Sequence, residues 1–285
     1  MSPEAPRNKG ESVEMTELIT PGPSEALAGL LGVPVPDLAD GIPLLWHGVY
    51  LLDRAPQSML GADGHRLSGG VPLPPGPGRR RMFAGGRVRR HGPLREGAEA
   101  TRTTRVIKTS EKAGRSGPLE IVTVLHEIAQ GGMVVLSDEQ DIVYRPAPQR
   151  PQAGGGAAPP GEVSPGATVP PADGQVVEID PVLLFRFSAL TYNAHRIHYD
   201  REFATLVDGY PGLVVHGPLQ ALFMCEAARR LAEPPVECSF EYRLVSPLCK
   251  GEGCIVSAGR NGEGIETSVA DATGRITARG VLRAG

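Results

Sequence analysis

The chain has 285 residues, 40% of them hydrophobic, enough to bury one large core or two smaller ones. A formal net charge of −3 and a pI near 6.2 give no global pull toward nucleic acid or a membrane surface, and the sequence holds no run of about 18 apolar residues that could span a bilayer. The polar opening Met1-Ser-Pro-Glu-Ala-Pro-Arg-Asn-Lys-Gly10 lacks the apolar stretch of a signal peptide, and Cys225, Cys238, Cys249 and Cys254 form no Cys-x-x-Cys pair; a cytoplasmic protein without disulfides or bound zinc is expected.

In chain order, residues 1–20 read as a polar tail. Residues 24–31 suit a short helix with Ser24 as its cap. Residues 56–81, rich in Gly and Pro and ending in Arg79-Arg-Arg81, read as a long loop. Strand-like runs follow at 102–109, 120–128 and 134–144, rich in β-branched residues and alternating in the first two. They complete a first unit over residues 21–145. Residues 146–174 are dominated by Pro, Gly and Ala, a composition that cannot bury enough apolar surface to fold, and read as a linker.

A second unit spans 175–285. It opens with a strand at 175–179 and a helix at 181–190. Gly217-Pro218 then starts a helix that runs to Leu231, with Pro218 in the first turn, where its missing N–H costs nothing. From Leu219 to Cys225 that helix is apolar nearly all round, so it must be wrapped by other structure; strong polarity returns only at Glu226, Arg229 and Arg230. Strands at 238–245, 253–258, 264–272 and 275–282 close the chain.

Chemistry concentrates just ahead of the buried helix, in Phe185-Arg-Phe-Ser-Ala-Leu-Thr-Tyr-Asn-Ala-His-Arg-Ile-His-Tyr-Asp200 and Gly209-Tyr-Pro-Gly-Leu-Val-Val-His-Gly-Pro218. His198 and His195 carry imidazoles that titrate in the range useful for proton transfer. The N–H of Gly217 lies in a first helical turn, where unpaired donors and the positive end of the macrodipole can meet a developing negative oxygen. His195 and His198 sit three residues apart, but no third ligand stands at a recognisable spacing, and His126-Glu127 lacks the second histidine of a zincin, so no metal is expected. The arginine run Arg79, Arg80, Arg81, Arg87, Arg89 and Arg90 has few aromatic neighbours; a solvated face is the simple reading, and coenzyme A phosphates are the functional one.

The two segments resemble the hydratase motif of the MaoC-like hot-dog proteins, in the branch containing mesaconyl-C4-CoA hydratases and mitochondrial-type 3-hydroxyacyl-thioester dehydratases. Leu44-Leu-Trp-His47, Met82-Phe-Ala-Gly-Gly-Arg87, Lys112-Ala-Gly-Arg-Ser-Gly-Pro-Leu119 and Glu139-Gln-Asp-Ile-Val-Tyr144 extend the resemblance into the first half. It implies an α+β double hot-dog fold, an antiparallel sheet wrapped around a long helix, with a non-catalytic first half that completes the tunnel of a catalytic second half. The implied activity is addition or removal of water across C2–C3 of an acyl thioester on CoA or a carrier protein. A non-catalytic acyl-thioester binder, or a thioesterase of the same fold, is the alternative. No separate cofactor is implied, since CoA or phosphopantetheine belongs to the substrate, and a homodimer is compatible with the fold.

This chain departs from the wider hydratase pattern, which has aspartate where it carries Asn193, asparagine at His195 and proline at Arg196. An amide exchanges no protons near neutral pH, so Asn193 is limited to orienting water or hydroxyl. His198 then becomes the expected acid and base, Gly217 the oxyanion donor, and His195 a second shuttle or a donor to the substrate. Tyr192, Arg196, Tyr210 and His216 are the expected substrate-binding residues.

Overall fold

The computed structural model describes residues 11–74, 78–114, 117–146, 174–262 and 264–285. They build one ten-stranded antiparallel sheet: β1 (Ser12–Leu18), β2 (Arg79–Arg90), β3 (Glu99–Gly114), β4 (Gly117–Gln130), β5 (Met133–Pro146), β6 (Gln175–Val176), β7 (Cys238–Leu244), β8 (Ile255–Asn261), β9 (Gly264–Ala270) and β10 (Ile276–Ala284). The spatial order is β1-β3-β4-β5-β2-β7-β10-β9-β8-β6. Outward from the β2–β7 junction, each half therefore places its own second, fifth, fourth, third and first strands. The same topology occurs twice, and main-chain pairing from Gly85↔Arg243 to Arg90↔Cys238 joins the two copies.

Three helices fill the crossovers: α1 (Pro21–Leu31) in the first half, α2 (Pro181–Leu190) and α3 (Gly217–Leu231) in the second. The 15 residues of α3 lie on β8, β9 and β10, and every residue from Leu219 to Glu226 is buried. An all-round apolar helix has no face to offer water, and here the sheet supplies the cover. A single cluster containing Leu27, Trp46, Val88, Leu136, Leu222, Phe240 and Val269 crosses the junction, so the two halves share a core. No described helix is long and apolar enough to cross a membrane.

Several sequence expectations need correction. Ser12–Leu18, inside the expected 1–20 tail, is strand β1; its side chains are mostly exposed, and it is held by backbone pairing to β3 at the sheet edge, where polar residues are the norm. The end of the expected 56–81 loop begins β2. Two of its arginines pair across the sheet, Arg79 with Glu120 at 2.8 Å, and Arg87 with Glu139 and Asp141 at 2.8 Å each. Ser24 does not cap α1: Thr20 precedes the helix, and Ser24 Oγ lies inside, 2.6 Å from Tyr50 Oη. Most of the expected linker, residues 147–173, falls outside the described residues.

Candidate active site

The segment between α2 and α3 is fixed from both ends. Asp180 accepts the Leu183 N–H at 2.7 Å and starts α2, with Pro181 in the first turn. After α2 the chain turns through Tyr192 at φ 53°, and the Asn193 side-chain oxygen accepts the His195 N–H at 3.0 Å, an Asx turn that sets up the short helical turn Arg196–His198. Val214 N–H then donates to Ile197 O at 2.9 Å, which lays the 213–216 segment alongside that turn.

This juxtaposition places His198 directly against the entry to α3. His198 Nδ1 donates to Val214 O at 2.7 Å, so the Nε2 lone pair is the free one. His216 stacks on the His198 ring at a centroid distance of 3.6 Å and bonds Ser188 Oγ through Nε2 at 2.9 Å. Burial pulls the His198 pKa down to about 4, beyond what the Val214 carbonyl restores, and holds His216 well below the usual imidazole value. Both rings are neutral at pH 7.

His195 contacts His198 edge-on at 5.5 Å, and its far side meets His65 at 4.1 Å. Burial, with the nearby charges of His65, His198 and Arg81, lowers His195 to about 2. His65 belongs to a loop of the first half and bonds Asp63 through Nδ1 at 3.1 Å. Four of the chain's seven histidines thus stand in one group. One ligand atom each from Asp63, His65 and His195 lies within 4.8 Å of the others, a grouping made by a distant loop that sequence spacing did not reveal. Its signal was Asp63-Gly-His65 inside a Gly/Pro-rich stretch, a polar pair on a loop of the kind that often carries function.

Gly217 opens α3 under the junction. A Cβ there would sit 2.2 Å from Leu244 Cδ1 of β7 and 3.1 Å from Phe83 Cδ1 of β2, so glycine is what allows the helix start to approach both halves of the sheet. The leading N–H groups of an α-helix have no acceptor within the helix, which leaves the Gly217 end suited to an oxyanion.

The remaining expected residues take different places. His216 is fully buried, stacked on His198, with Nδ1 unpartnered among the described residues. The Arg196 guanidinium is committed to Asp200 at 2.6 Å and Ala62 O at 2.9 Å and lies over the Phe203 ring, so it fastens its own loop and does not face a ligand. Tyr210 packs against the cluster of Ile197, Phe203, Ala204, Val214 and Cys249. Tyr192 stands 56% exposed at the surface. Glu226 is buried too, bonded by Trp46 Nε1 and Arg229 Nη2 at 2.8 Å each, which removes it as a reactive carboxylate.

Comparison with known proteins bears on the family and the fold. The chain is 50% identical over 217 residues, 76% of its own length and 74% of the relative's, to the mesaconyl-C(4)-CoA hydratase of Chloroflexus aurantiacus. Over 70 residues, 24% of this chain and 23% of the relative, it is 43% identical to the mitochondrial hydroxyacyl-thioester dehydratase type 2 of Schizosaccharomyces pombe. Similar folds occur in HtdX of Mycobacterium tuberculosis (TM-score 0.66, 15% identity, 96% of this chain and 100% of that one) and a MaoC-like dehydratase of Phytophthora capsici (TM-score 0.67, 16% identity, 97% and 96%). A third, also from M. tuberculosis, is described as a double hotdog (TM-score 0.57, 16% identity, 97% and 96%), and the fold of this chain is that α+β double hot dog. Residues 45–250, spanning the Trp46 turn, the histidine group and α3, match the model of one family, and the chain belongs to it: hydroxyacyl-thioester dehydratase type 2.

Proposed function

We propose that His198 is the general base and acid of a hydro-lyase reaction in which water is added or removed across C2–C3 of an acyl thioester. What carries this is the hydrogen bond from His198 Nδ1 to Val214 O, which fixes the tautomer and leaves a neutral Nε2 ready to accept a proton at pH 7. In hydration, Nε2 takes a proton from water as its oxygen attacks C3. Asn193, its Oδ1 already accepting from the His195 backbone, offers amide N–H groups that orient water without exchanging protons. The Gly217 N–H polarises the thioester carbonyl as enolate character builds at C2. His195 is held neutral between His198 and His65, where its two ring nitrogens can pass a proton in either direction.

The reaction uses no separate cofactor; CoA or phosphopantetheine arrives with the substrate. A short branched dicarboxylic acyl group is the first to test, because the relative matched over three quarters of this chain is named for mesaconyl-C4-CoA. Cytoplasmic residence is part of this reading, supported by four free, buried cysteines.

Purified protein assayed against 2-enoyl-CoA and 3-hydroxyacyl-CoA esters, followed by the absorbance of the conjugated thioester, should interconvert at least one pair. No turnover across both CoA and carrier-protein thioesters would contradict the assignment.

A further inference from the structure

We propose that Asp63 and His65, contributed by the first half, are the second proton-transfer unit of the active centre: His65 exchanges the proton at C2 while His198 serves the oxygen at C3, and Asp63 is the positioning residue that holds His65. This rests on the hydro-lyase reading above and adds to it the group that handles the other proton.

Adding water moves protons at two different atoms, which a single imidazole bonded at one nitrogen can serve only in turn, whereas two groups can serve them together. The other groups near His198 do not supply the second. Asn193 has no exchangeable proton, while His195 and His216 are both held neutral by burial. His65 has the construction that proton transfer requires. Asp63 Oδ2 takes its Nδ1–H at 3.1 Å and Asp63 Oδ1 takes its backbone N–H at 2.9 Å, so the ring orientation and the tautomer are both set and Nε2 is the reactive nitrogen. Asp63 stays ionised, pulled well below the ordinary carboxylate range chiefly by that side-chain bond. The pair also remains approachable, with side-chain exposures of 23% for His65 and 48% for Asp63.

The loop is not placed there loosely. Arg196 N–H donates to Asp63 O and Arg196 Nη1 to Ala62 O, both at 2.9 Å, across 134 residues of sequence in the second case. Gly64, at φ +89°, approaches so closely that a Cβ would fall 1.8 Å from Ala194 O. Only glycine permits that contact, and it brings residues 63–65 onto residues 193–196. Arg81, acting on His195, and Asp208, on which the His65 charge acts, are the other ionic groups around the cluster.

In hydration, His198 Nε2 takes a proton from water as the oxygen–C3 bond forms. The C2–C3 π pair moves onto C2 and the thioester, and protonated His65 gives its Nε2 proton to C2. The proton left on His198 returns to His65 through His195, which accepts at one ring nitrogen and donates from the other, so both histidines are restored. A cation held by Asp63, His65 and His195 is the competing use of the same atoms; the carboxylate is already turned to its own histidine through both oxygens, which favours proton transfer.

The test uses the full chain and a 2-enoyl-CoA that the wild type hydrates. His65→Gln should lower kcat by about 100-fold or more with KM within about threefold. Asp63→Asn should lower kcat about tenfold with KM little changed, and Asp63→Glu should restore most of the rate. Retention of kcat within about threefold by folded His65→Gln would overturn the proposal, and so would an Asp63→Asn loss that Asp63→Glu does not restore. If His65→Gln does not fold, Asp63→Asn decides, since it keeps the size and much of the hydrogen bonding. Inactivation by a chelator with recovery on Zn(II) would overturn it in favour of a metal. An inactive wild type removes the hydro-lyase reading and this proposal together, whereas an active wild type with an indifferent His65→Gln removes this proposal alone.

Discussion

Two groups of histidines and carboxylates stand among the described residues, and they differ in how far their carboxylate–histidine pair reaches the surface. In the first half, His47 Nε2 bonds Asp138 Oδ2 at 3.3 Å and Gln140 Nε2 bonds the same oxygen at 2.7 Å, while His126, opposite Asp138 on β4, takes Thr104 Oγ1 at 2.9 Å through Nδ1. His47 and Asp138 are 8% and 6% exposed, against 23% and 48% for His65 and Asp63. The residue types are the same; the setting differs. Strands β4 and β5 seal the first group inside the sheet, and loops plus a helix terminus build the second. Imidazole beside carboxylate is therefore no sign of catalysis by itself. What sets the loop group apart is the more exposed His65–Asp63 pair beside His195, and backbone placement brings it there.

The sharpest way to break the comparison is to disable one group and measure both activity and stability. His198→Gln keeps size and some hydrogen bonding but removes proton transfer, so kcat should fall by about 100- to 10,000-fold with little change in the melting temperature. Steady-state kinetics with thermal unfolding on the same sample would check it.

Asp138→Ala should do the reverse. Burial pushes the Asp138 carboxyl up, yet the hydrogen bonds from His47 and Gln140 outweigh it and hold the group ionised, so its removal strands buried donors at a cost of about 3–5 kcal/mol in unfolding free energy. Urea unfolding would report the loss. The protein that remains folded should turn over within a few-fold of wild type, and a collapse of kcat without loss of stability would show that the sheet group takes part in the reaction.

Acid treats the two groups alike, which sharpens the contrast. His126 and His198 are both held at about 4, His195 at about 2 and His216 well below the usual value, in each case mainly by burial. The unfolded chain has imidazoles near pH 6.5 and so binds more protons than the folded chain below that value. The stability these residues contribute is complete above about pH 6.5 and is lost as pH falls toward 4 and below. Urea midpoints at pH 7, 5.5 and 4.5 should decline in that order, and His126→Gln and His198→Gln should each flatten the decline. A midpoint that does not move between pH 7 and 5 would mean that these rings are not buried as described.

The smallest expected effect is at Asn193. Its replacement by Ala removes the Asx bond to the His195 N–H and the amide donors, a loss of one or two hydrogen bonds at about 1 kcal/mol each, seen as a roughly five- to thirtyfold lower rate. A loss as deep as that of His198→Gln would give Asn193 a larger part than orienting water.

How much of this was legible in the sequence follows from how locally each feature is encoded. Helix α3 could be read because its burial is written in consecutive apolar residues, and His198 with Gly217 because both lie in one short stretch around a Gly-Pro turn. Strand β1 could not, since an edge strand held by main-chain bonds needs no apolar face. Strand β2 was hidden by its arginines, of which Arg79 and Arg87 are met by Glu120, Glu139 and Asp141 from other strands. Asp63 and His65 were passed over as loop residues. Their partners are far away in the chain, and the contact depends on Gly64 admitting Ala194, a fit that no local pattern announces. For Arg196 and His216 motif position shows proximity to the site, while the partners of each side chain, Asp200 and Ala62 O for Arg196 and Ser188 for His216, come from the three-dimensional arrangement.

The most direct measurement is the protonation and tautomer of His198 itself, read from the imidazole nitrogen shifts of protein labelled with nitrogen-15 histidine and assigned through His198→Gln. Nδ1 should carry the proton and Nε2 the lone pair at pH 7, with no titration near pH 6.5 and protonation appearing only as pH approaches 4. A ring protonated at Nε2, or one that titrates near pH 6.5 like an exposed histidine, would contradict the assignment of His198 as the buried base of this site.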